Sequence, residues 1–238
     1  MEREDASYSG PVEAEAVELE ESENAEGLRE VRVDTVDEFL AAIGPDTVIK
    51  LSEGVYDLST ATDYGAYGTE YYYWVNVFDG PGLVISGIEN LSIEAEGDVS
   101  IAAIPRYANV ISFLNCENIS LSGFTAGHTQ EPGECAGGVL DFENCWGLKI
   151  DDCRLYGCGI LGIRAYYCSE LQVSNTEIYD CSLGAIALYT VMDAAFESMN
   201  IHDCGENVLE LADCMDLSYE GMELKNGGYT LQNGLPVS

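Results

Sequence analysis

The chain has 238 residues, of which 47% are hydrophobic and 22% are charged, a composition that favours one folded domain with a sizeable core. It carries 43 Asp and Glu residues against 9 Lys and Arg residues, a formal net charge of -34. This excess of carboxylates repels nucleic-acid phosphates and anionic membranes, and no apolar run reaches the roughly 18 residues of a transmembrane helix, so neither a nucleic-acid partner nor a membrane span is expected.

The first 28 residues form an acidic segment with almost no aromatic or β-branched side chains. Such a segment buries too little apolar surface to offset the entropy of ordering, so we predict an acidic disordered tail or linker over 1–28 and a folded domain over 29–238. The chain start is acidic, whereas a secretory signal peptide is basic and then apolar. Acidic linkers can tether a domain behind a removed signal or lipid anchor, so an extracellular or cell-surface location is expected, with a cytoplasmic one as the alternative.

The first predicted element is a short helix. Thr35-Val36-Asp37-Glu38 has the pattern of a capping box, apolar residues follow over 39–43, and Gly44-Pro45 ends the helix. The alternation in Val48-Ile49-Lys50-Leu51, together with Gly54-Val55-Tyr56, then marks the first strands.

A repeat of 23 residues organises the second half of the chain. Apolar residues two positions apart recur at this interval, which indicates strands with alternate side chains pointing inward. Upstream, the pattern at 89–93 recurs at 117–121, an interval of 28 residues. The aligned columns are Cys135/Cys158/Cys181/Cys204, Cys145/Cys168/Val191/Cys214, Leu140/Ile163/Ile186/Leu209, Phe142/Ala165/Leu188/Leu211, Leu148/Leu171/Ala194/Leu217 and Leu155/Ile178/Ile201/Leu224.

Three short strands per repeat, with no helical spacing between them, predict the coils of a parallel β-helix. Propeller blades need about 40 residues, and leucine-rich repeats follow another consensus. Each column then becomes a ladder inside the coils, and the short helix closes the N-terminal end, where open strand edges would invite aggregation.

The segment Thr47-Val48-Ile49-Lys50-Leu51-Ser52-Glu53-Gly54-Val55-Tyr56-Asp57-Leu58, following that helix, resembles the opening strand of pectate-lyase-like β-helix proteins. The resemblance covers about residues 29–238. It implies an all-β fold class: a right-handed single-stranded parallel β-helix of roughly seven coils with a short N-terminal capping helix. It says little about function, because the superfamily includes polysaccharide lyases, hydrolases, esterases, epimerases and phage adhesins.

The nine cysteines all fall in predicted inward columns. The spacings contain no paired C-x-x-C arms and the chain has only two histidines, which argues against a metal site. We therefore predict buried, reduced thiols that act as small apolar residues. A disulfide framework or metal site is the alternative, and secretion into a strongly oxidising compartment would favour disulfides.

Two neighbouring outward columns hold the candidate functional residues, with carboxylates around an arginine beside two stacked tyrosines. In pectate-lyase-like enzymes, the equivalent face commonly forms the substrate cleft; carboxylates there bind Ca²⁺ or act as acid and base, and aromatic rings stack on sugars. The alternative is an ordinary solvated face with one cross-strand ion pair. The predicted catalytic residues are Asp141, Glu143, Arg164 and Glu210, with Tyr166 and Tyr189 binding substrate and Asp141 and Glu143 as Ca²⁺ ligands.

Two insertions add candidates. The turn at 127–135 is longer than its counterpart in the next repeat and contains His128, which is predicted either as an accessory catalytic group or as a turn residue bonded to backbone. The aromatic segment 64–74 contains Tyr72 and Trp74, which either stack on sugar rings or bury the side of the first coils.

A third outward column contains Tyr156, Tyr179, His202 and Lys225, with Asp180 and Asp203 stacked beside it. It could hold a cation, but a solvated turn is the more ordinary arrangement.

The sequence thus predicts a domain that recognises a polysaccharide or other glycan. If it is an enzyme, it cleaves the polysaccharide as a lyase or glycoside hydrolase; the alternative is a non-catalytic structural or adhesive module. Continuing the columns by 23 residues places Gln232 and Gly234 where Leu209 and Leu211 had been, so a partner at the C-terminal end is a further expectation.

Overall fold

The computed structural model describes residues 17, 19–129, 135–157, 159–205 and 208–225. These residues form one α-helix, α1 (Val36–Ala42), a 3₁₀ turn (Leu58–Thr60) and a series of strands. In chain order, the strands are β1 (Glu20–Glu23), β2 (Arg29–Val33), β3 (Thr47–Asp57), β4 (Tyr72–Val77), β5 (Gly80–Ser86), β6 (Glu89–Ala103), β7 (Ile111–Leu114), β8 (Glu117–Ser122), β9 (Thr125–His128), β10 (Leu140–Glu143), β11 (Trp146–Asp151), β12 (Arg154–Tyr156), β13 (Leu161–Tyr166), β14 (Ser169–Ser174), β15 (Glu177–Tyr179), β16 (Gly184–Tyr189), β17 (Met192–Glu197), β18 (Asn200–His202), β19 (Leu209–Ala212), β20 (Met215–Glu220) and β21 (Glu223–Lys225).

The strands wind into coils with three faces. Face A is the parallel row β6-β8-β11-β14-β17-β20, face B is the parallel row β5-β7-β10-β13-β16-β19, and face C is the parallel row β6-β9-β12-β15-β18-β21. The long strand β6 bends around the corner between faces A and C, pairing with β8 through its first half and with β9 through its second. The predicted all-β parallel helix is therefore confirmed.

The registers of the paired strands match the columns read from the sequence. On face B, Leu140 aligns with Ile163, Ile163 with Ile186, and Ile186 with Leu209. The 28-residue offset upstream is also present, since Leu91 aligns with Ile119. A one-residue slip would turn every inward side chain outward, so the apolar pattern holds this register strongly.

The corners between faces explain the positions of most cysteines. Seven cysteines follow directly after a residue with left-handed backbone, whose φ lies between 52° and 57°: Asn115, Asn144, Asp152, Tyr167, Asp180, Asp203 and Asp213. At such a corner the next side chain points inward, and its thiol reaches two carbonyl oxygens, as Cys145 does with Glu143 at 3.3 Å and Phe113 of the preceding coil at 3.5 Å. Asn and Asp adopt this backbone more readily than most residues.

The N-terminal end is closed as predicted. Thr35 and Glu38 form the capping box of α1, and Phe39 from this helix packs edge-on against Tyr56 of β3 at 6.4 Å between ring centroids. Within the segment predicted to be a disordered tail, Glu20–Glu23 forms β1 and pairs antiparallel with β2. Residues 1–16 and 18 lie outside the described residues, so the domain boundary remains a prediction.

The last described coil buries its inward side chains less completely than the earlier coils do. Side chains that are buried in earlier coils become half-exposed there, including Cys214, Leu217 and Tyr219. Gln232 and Gly234 lie outside the described residues, so the expectation of a covering partner stays a prediction.

Candidate functional site

A groove on the outer side of face B brings together four of the predicted residues. Glu143 of β10, Arg164 and Tyr166 of β13, and Tyr189 of β16 line a cavity of about 360 Å³. They meet because Glu143 aligns with Tyr166, and Tyr166 with Tyr189, on adjacent parallel strands. Residues at this register lie one strand spacing apart, about 4.8 Å, so their side chains form one continuous surface.

On the preceding coil, Asp141 is aligned with Arg164 and is bonded to it through both carboxylate oxygens. Arg164 Nη2 donates to Oδ2 at 2.9 Å, and Arg164 Nε donates to Oδ1. Asp141 is only 6% exposed although it points away from the core. The hydrogen bond to Asp141 raises the pKa of Arg164, so the guanidinium stays charged and the pair stays formed.

This ion pair limits the predicted chemistry. A glycosidase needs two carboxyl groups about 5–9.5 Å apart that can reach the sugar, whereas both Asp141 oxygens are engaged by Arg164. Ca²⁺ needs six to eight oxygen ligands, and a guanidinium already occupies the Asp141 oxygens. Among the described residues, no group of three or more His, Cys, Asp and Glu side chains could hold a metal ion. The arrangement does not fit the predicted Ca²⁺ site.

The two tyrosines are tilted against each other and leave ring surface facing the cavity. Tyr166 and Tyr189 have ring centroids 6.3 Å apart at an interplanar angle of 63°. Tyr167, which the sequence reasoning did not single out, packs its ring edge-to-face against Tyr166 at 4.2 Å and holds one side of that ring. Tyr166 is 39% exposed, which leaves it accessible to a ligand.

Glu210 lies beside the groove rather than in its lining. It belongs to β19, where it aligns with Ala187. Burial and the Glu210 carboxylate together raise the pKa of Tyr189, so that hydroxyl remains protonated and can donate a hydrogen bond at neutral pH.

His128 is not part of the groove lining. It lies in β9, is 2% exposed, and its Nε2 is 2.9 Å from the carbonyl oxygen of Ala108. Burial lowers its pKa. His128 therefore fits the predicted backbone-bonded residue better than the predicted accessory catalytic group, although it lies in a strand and not in a turn. Gln130–Glu134 of the same insertion lie outside the described residues.

Tyr72 and Trp74 are also buried rather than available to a sugar. Both are in β4, and both bond to Asp63: the Tyr72 hydroxyl donates to Oδ2 at 2.7 Å, and the Trp74 ring nitrogen donates to Oδ1 at 3.2 Å. Tyr64 packs edge-to-face on Trp74 at 5.1 Å. The predicted sugar-stacking role is thus replaced by the alternative, in which this segment buries the side of the first coils.

A second network lies on face C and is centred on Glu177. Arg154 Nε donates to Glu177 Oε2 at 2.6 Å, while Asn200 and His202 contact Oε1 at 3.0 and 3.1 Å. Above it, Tyr179 is stacked between Tyr156 and His202, at 5.6 and 5.3 Å between ring centroids. The sequence reasoning placed these rings in one column but overlooked the Arg154–Glu177 pair; a search for opposite charges 23 residues apart would have found it.

The described cysteines of the corners are reduced thiols. Cys116, Cys145, Cys153 and Cys168 are buried and donate to backbone carbonyl oxygens. Burial raises the pKa of Cys153 to about 12, which keeps it protonated and unreactive. Cys135 is half-buried, so it departs from the predicted inward position, and Cys158 lies outside the described residues.

A larger cavity of about 550 Å³ lies beside α1 and the 69–71 segment. Its cationic group, Arg29, already bonds Glu21 and the carbonyl oxygen of Ala42. This cavity brings together none of the predicted site residues, so the face B groove is the better candidate site. Within the described parts of the chain, no helix has the length and apolar character needed to cross a bilayer.

Comparison with known proteins supports the fold. A family model described as the right-handed β-helix region matches residues 86–235. Among solved structures, the chain is similar to a "putative glycosyl hydrolase" from Parabacteroides merdae ATCC 43184, with a TM-score of 0.50 and 12% sequence identity, covering 82% of this chain and 97% of that one. No curated protein matches the sequence. The family match confirms the predicted handedness of the coils, and the structural likeness extends to the fold alone.

Proposed function

The chain belongs to the right-handed β-helix family, and we propose that it recognises a polysaccharide in the face B groove. The observation that carries this proposal is the cavity of about 360 Å³ lined by Glu143, Arg164, Tyr166 and Tyr189. Its size lies within the range of ordinary ligand sites, which runs from about 300 to 1,000 Å³.

The lining has the chemistry that a sugar requires. The apolar face of a sugar ring can pack on Tyr166, whose ring is partly exposed. Sugar hydroxyl groups both donate and accept hydrogen bonds, and the groove offers the carboxylate of Glu143 as acceptor and the guanidinium of Arg164 as donor. The lining residues come from three successive coils, so the groove runs along the helix axis, a direction that suits a polymer.

The geometry favours recognition over cleavage. Glu143 is the only carboxylate among the residues that line the described groove, and Asp141 is held by Arg164. Glu210 lies outside the lining and is hydrogen-bonded to Tyr189, and freeing Asp141 as an acid or base would break its ion pair and leave a nearly buried carboxylate unpaired. We therefore expect binding without release of new sugar ends.

The proposal is tested on a panel of immobilised glycans. Substituting Tyr166→Ala should weaken binding about tenfold, the factor expected when one aromatic contact is lost. Tyr67→Ala is the matched control, because Tyr67 is 99% exposed and lies in the 64–74 segment, away from the groove lining. If no glycan binds the protein, or if Tyr166→Ala binds as the unchanged protein does, the proposal fails and the structural or adhesive module is favoured.

We also propose an extracellular or cell-surface location, where polysaccharides are met. The buried thiols are compatible with it, because inaccessible cysteines oxidise slowly. Fractionation of the producing cells, with the chain detected by antibody, tests this; recovery in the cytoplasm alone would contradict it.

A further inference from the structure

The groove has an excess of negative charge. Arg164 is the only cationic side chain in its described lining, and its charge is balanced by Asp141, which is aligned with it on the preceding coil. Glu143 faces the groove with an exposed carboxylate, and Glu210 lies against Tyr189 at its side. Three carboxylates therefore lie in or beside the groove against one guanidinium, so a ligand meets a negative potential there.

The whole molecule reinforces this local charge. The formal net charge of -34 produces a long-range negative field. Salt screens that field, since the Debye length is about 10 Å at 0.1 M ionic strength. Contacts inside the groove are shorter than this, so Glu143 continues to act on a bound ligand when the distant charges no longer do.

We infer that the groove prefers a glycan whose sugars carry free amino groups, and that it discriminates against glycans built of uronic acids. This inference rests on the proposed function and specifies its substrate class. A sugar ammonium can donate to the carboxylate of Glu143 while it lies against the face of Tyr166 or Tyr189, where the ring quadrupole attracts a cation.

The same geometry disfavours a uronate. Its carboxylate could be neutralised only by Arg164, and two of the guanidinium nitrogens already donate to Asp141. Bringing a third carboxylate between Glu143 and Asp141 adds like-charge repulsion in a partly enclosed space. The preference therefore follows from the Asp141–Arg164 pair as much as from Glu143.

The experiment compares three oligosaccharides of equal length by titration calorimetry: a fully deacetylated chito-oligosaccharide, its fully N-acetylated counterpart and an oligogalacturonide. The amino form should bind about tenfold more tightly than the acetylated form, and the oligogalacturonide should bind most weakly. The order should persist in 0.15 M salt, with smaller differences than in 0.02 M salt.

A pair of variants separates the groove from the general charge. Glu143→Gln should remove most of the preference for the amino form, whereas Glu197→Gln, which removes an equal charge from an exposed position on face A, should leave it within about twofold. Both substitutions are at exposed positions, so folding should be unaffected; circular dichroism checks this.

The possible outcomes separate a failure of the amino-sugar preference from a failure of polysaccharide recognition itself. Equal binding of the amino and acetylated forms, or tighter binding of the oligogalacturonide, overturns the inference while polysaccharide recognition stands. A preference that Glu143→Gln does not reduce overturns the assignment to this groove. If none of the three binds and the wider panel is also negative, both the inference and the proposed function fail.

Discussion

Two outward surfaces of the same coils carry similar residues and differ in what they leave open. The face B groove and the face C network each contain an arginine paired with a carboxylate one coil away, beside aromatic rings in register. On face C, Tyr179 is stacked almost parallel between Tyr156 and His202, at 17° and 10°. In the groove, Tyr166 and Tyr189 are tilted by 63°.

The difference in ring tilt indicates which surface contributes to stability and which surface is open to a ligand. A ring that is covered on both faces by its neighbours has only its edge left, so the face C column contributes to stability. A tilted pair leaves ring surface beside a cavity, which a ligand can use. The residue types alone do not distinguish the two surfaces.

The largest effect should come from the core that both surfaces share. Phe142 lies between Asp141 and Glu143 in β10, and its ring stacks on Phe113 at 5.1 Å. Phe142→Ala should lower the free energy of unfolding by about 3–5 kcal/mol, because it leaves a cavity beneath the groove. Denaturant unfolding followed by circular dichroism measures this.

Phe78→Ala serves as control, since Phe78 is exposed and should change stability little. A loss below about 1 kcal/mol for Phe142→Ala would mean that the coil can repack around the missing ring.

A substitution at the buried ion pair should come next in size and should change the groove itself. Asp141→Asn should lower the free energy of unfolding by about 1.5–3 kcal/mol through the loss of charged hydrogen bonds. It also leaves Arg164 without a balancing charge, so affinity for an oligogalacturonide should rise. Chemical denaturation and calorimetry give the two values.

Glu177→Gln is the matched control on face C, where it removes the partner of Arg154. It should affect stability without changing which glycan binds. If both variants shift the glycan preference equally, the effect comes from net charge and the groove has no special role.

The contrast between the two surfaces is sharpest for a pair of tyrosine substitutions. Tyr179→Ala should lower the free energy of unfolding by about 1–2 kcal/mol, since two stacked contacts are lost, and should leave glycan binding intact. Tyr166→Ala should instead weaken glycan binding and change the free energy of unfolding little. Thermal melting and glycan affinity are measured for both variants. If both substitutions change stability and binding in the same way, the two surfaces do not differ in function.

The smallest expected effect is a pH dependence confined to face C. A hydrogen bond to Asp203, together with Glu177, raises the pKa of His202 above its usual 6.5. The folded state therefore favours the protonated ring, and the stability this contributes is complete below pH 6.5 and is lost as the pH rises through the raised pKa. The loss should be under about 1 kcal/mol, because the site is partly solvated.

His202→Gln should flatten this dependence between about pH 6 and 8, as seen in denaturation curves across that range. Glycan binding in the groove should not follow the same curve, because the described lining contains no histidine. An unchanged slope in His202→Gln would assign the pH effect to another group.

Several details of the fold could be predicted from local sequence patterns, and one further pattern also marks the corners of the coils. The capping box at Thr35 and Glu38 and the 23-residue columns are local patterns, and each is present in the structure. The Asn-Cys and Asp-Cys dipeptides, as at Asn144-Cys145 and Asp152-Cys153, also mark the corners, because Asn and Asp favour left-handed backbone.

The sequence by itself determined the β-helix, its register and the inward ladders, because a period of two along each strand and a constant interval between coils specify which side chains face the core. It also placed Asp141, Arg164 and Tyr166 on one outer surface. Only the tertiary structure decided which of these outward groups a ligand can reach. Arg164 covers Asp141, Asp63 binds Tyr72 and Trp74, and His128 is enclosed. Exposure depends on neighbours that are distant in sequence and on ring tilt, and neither follows from alternation along a strand.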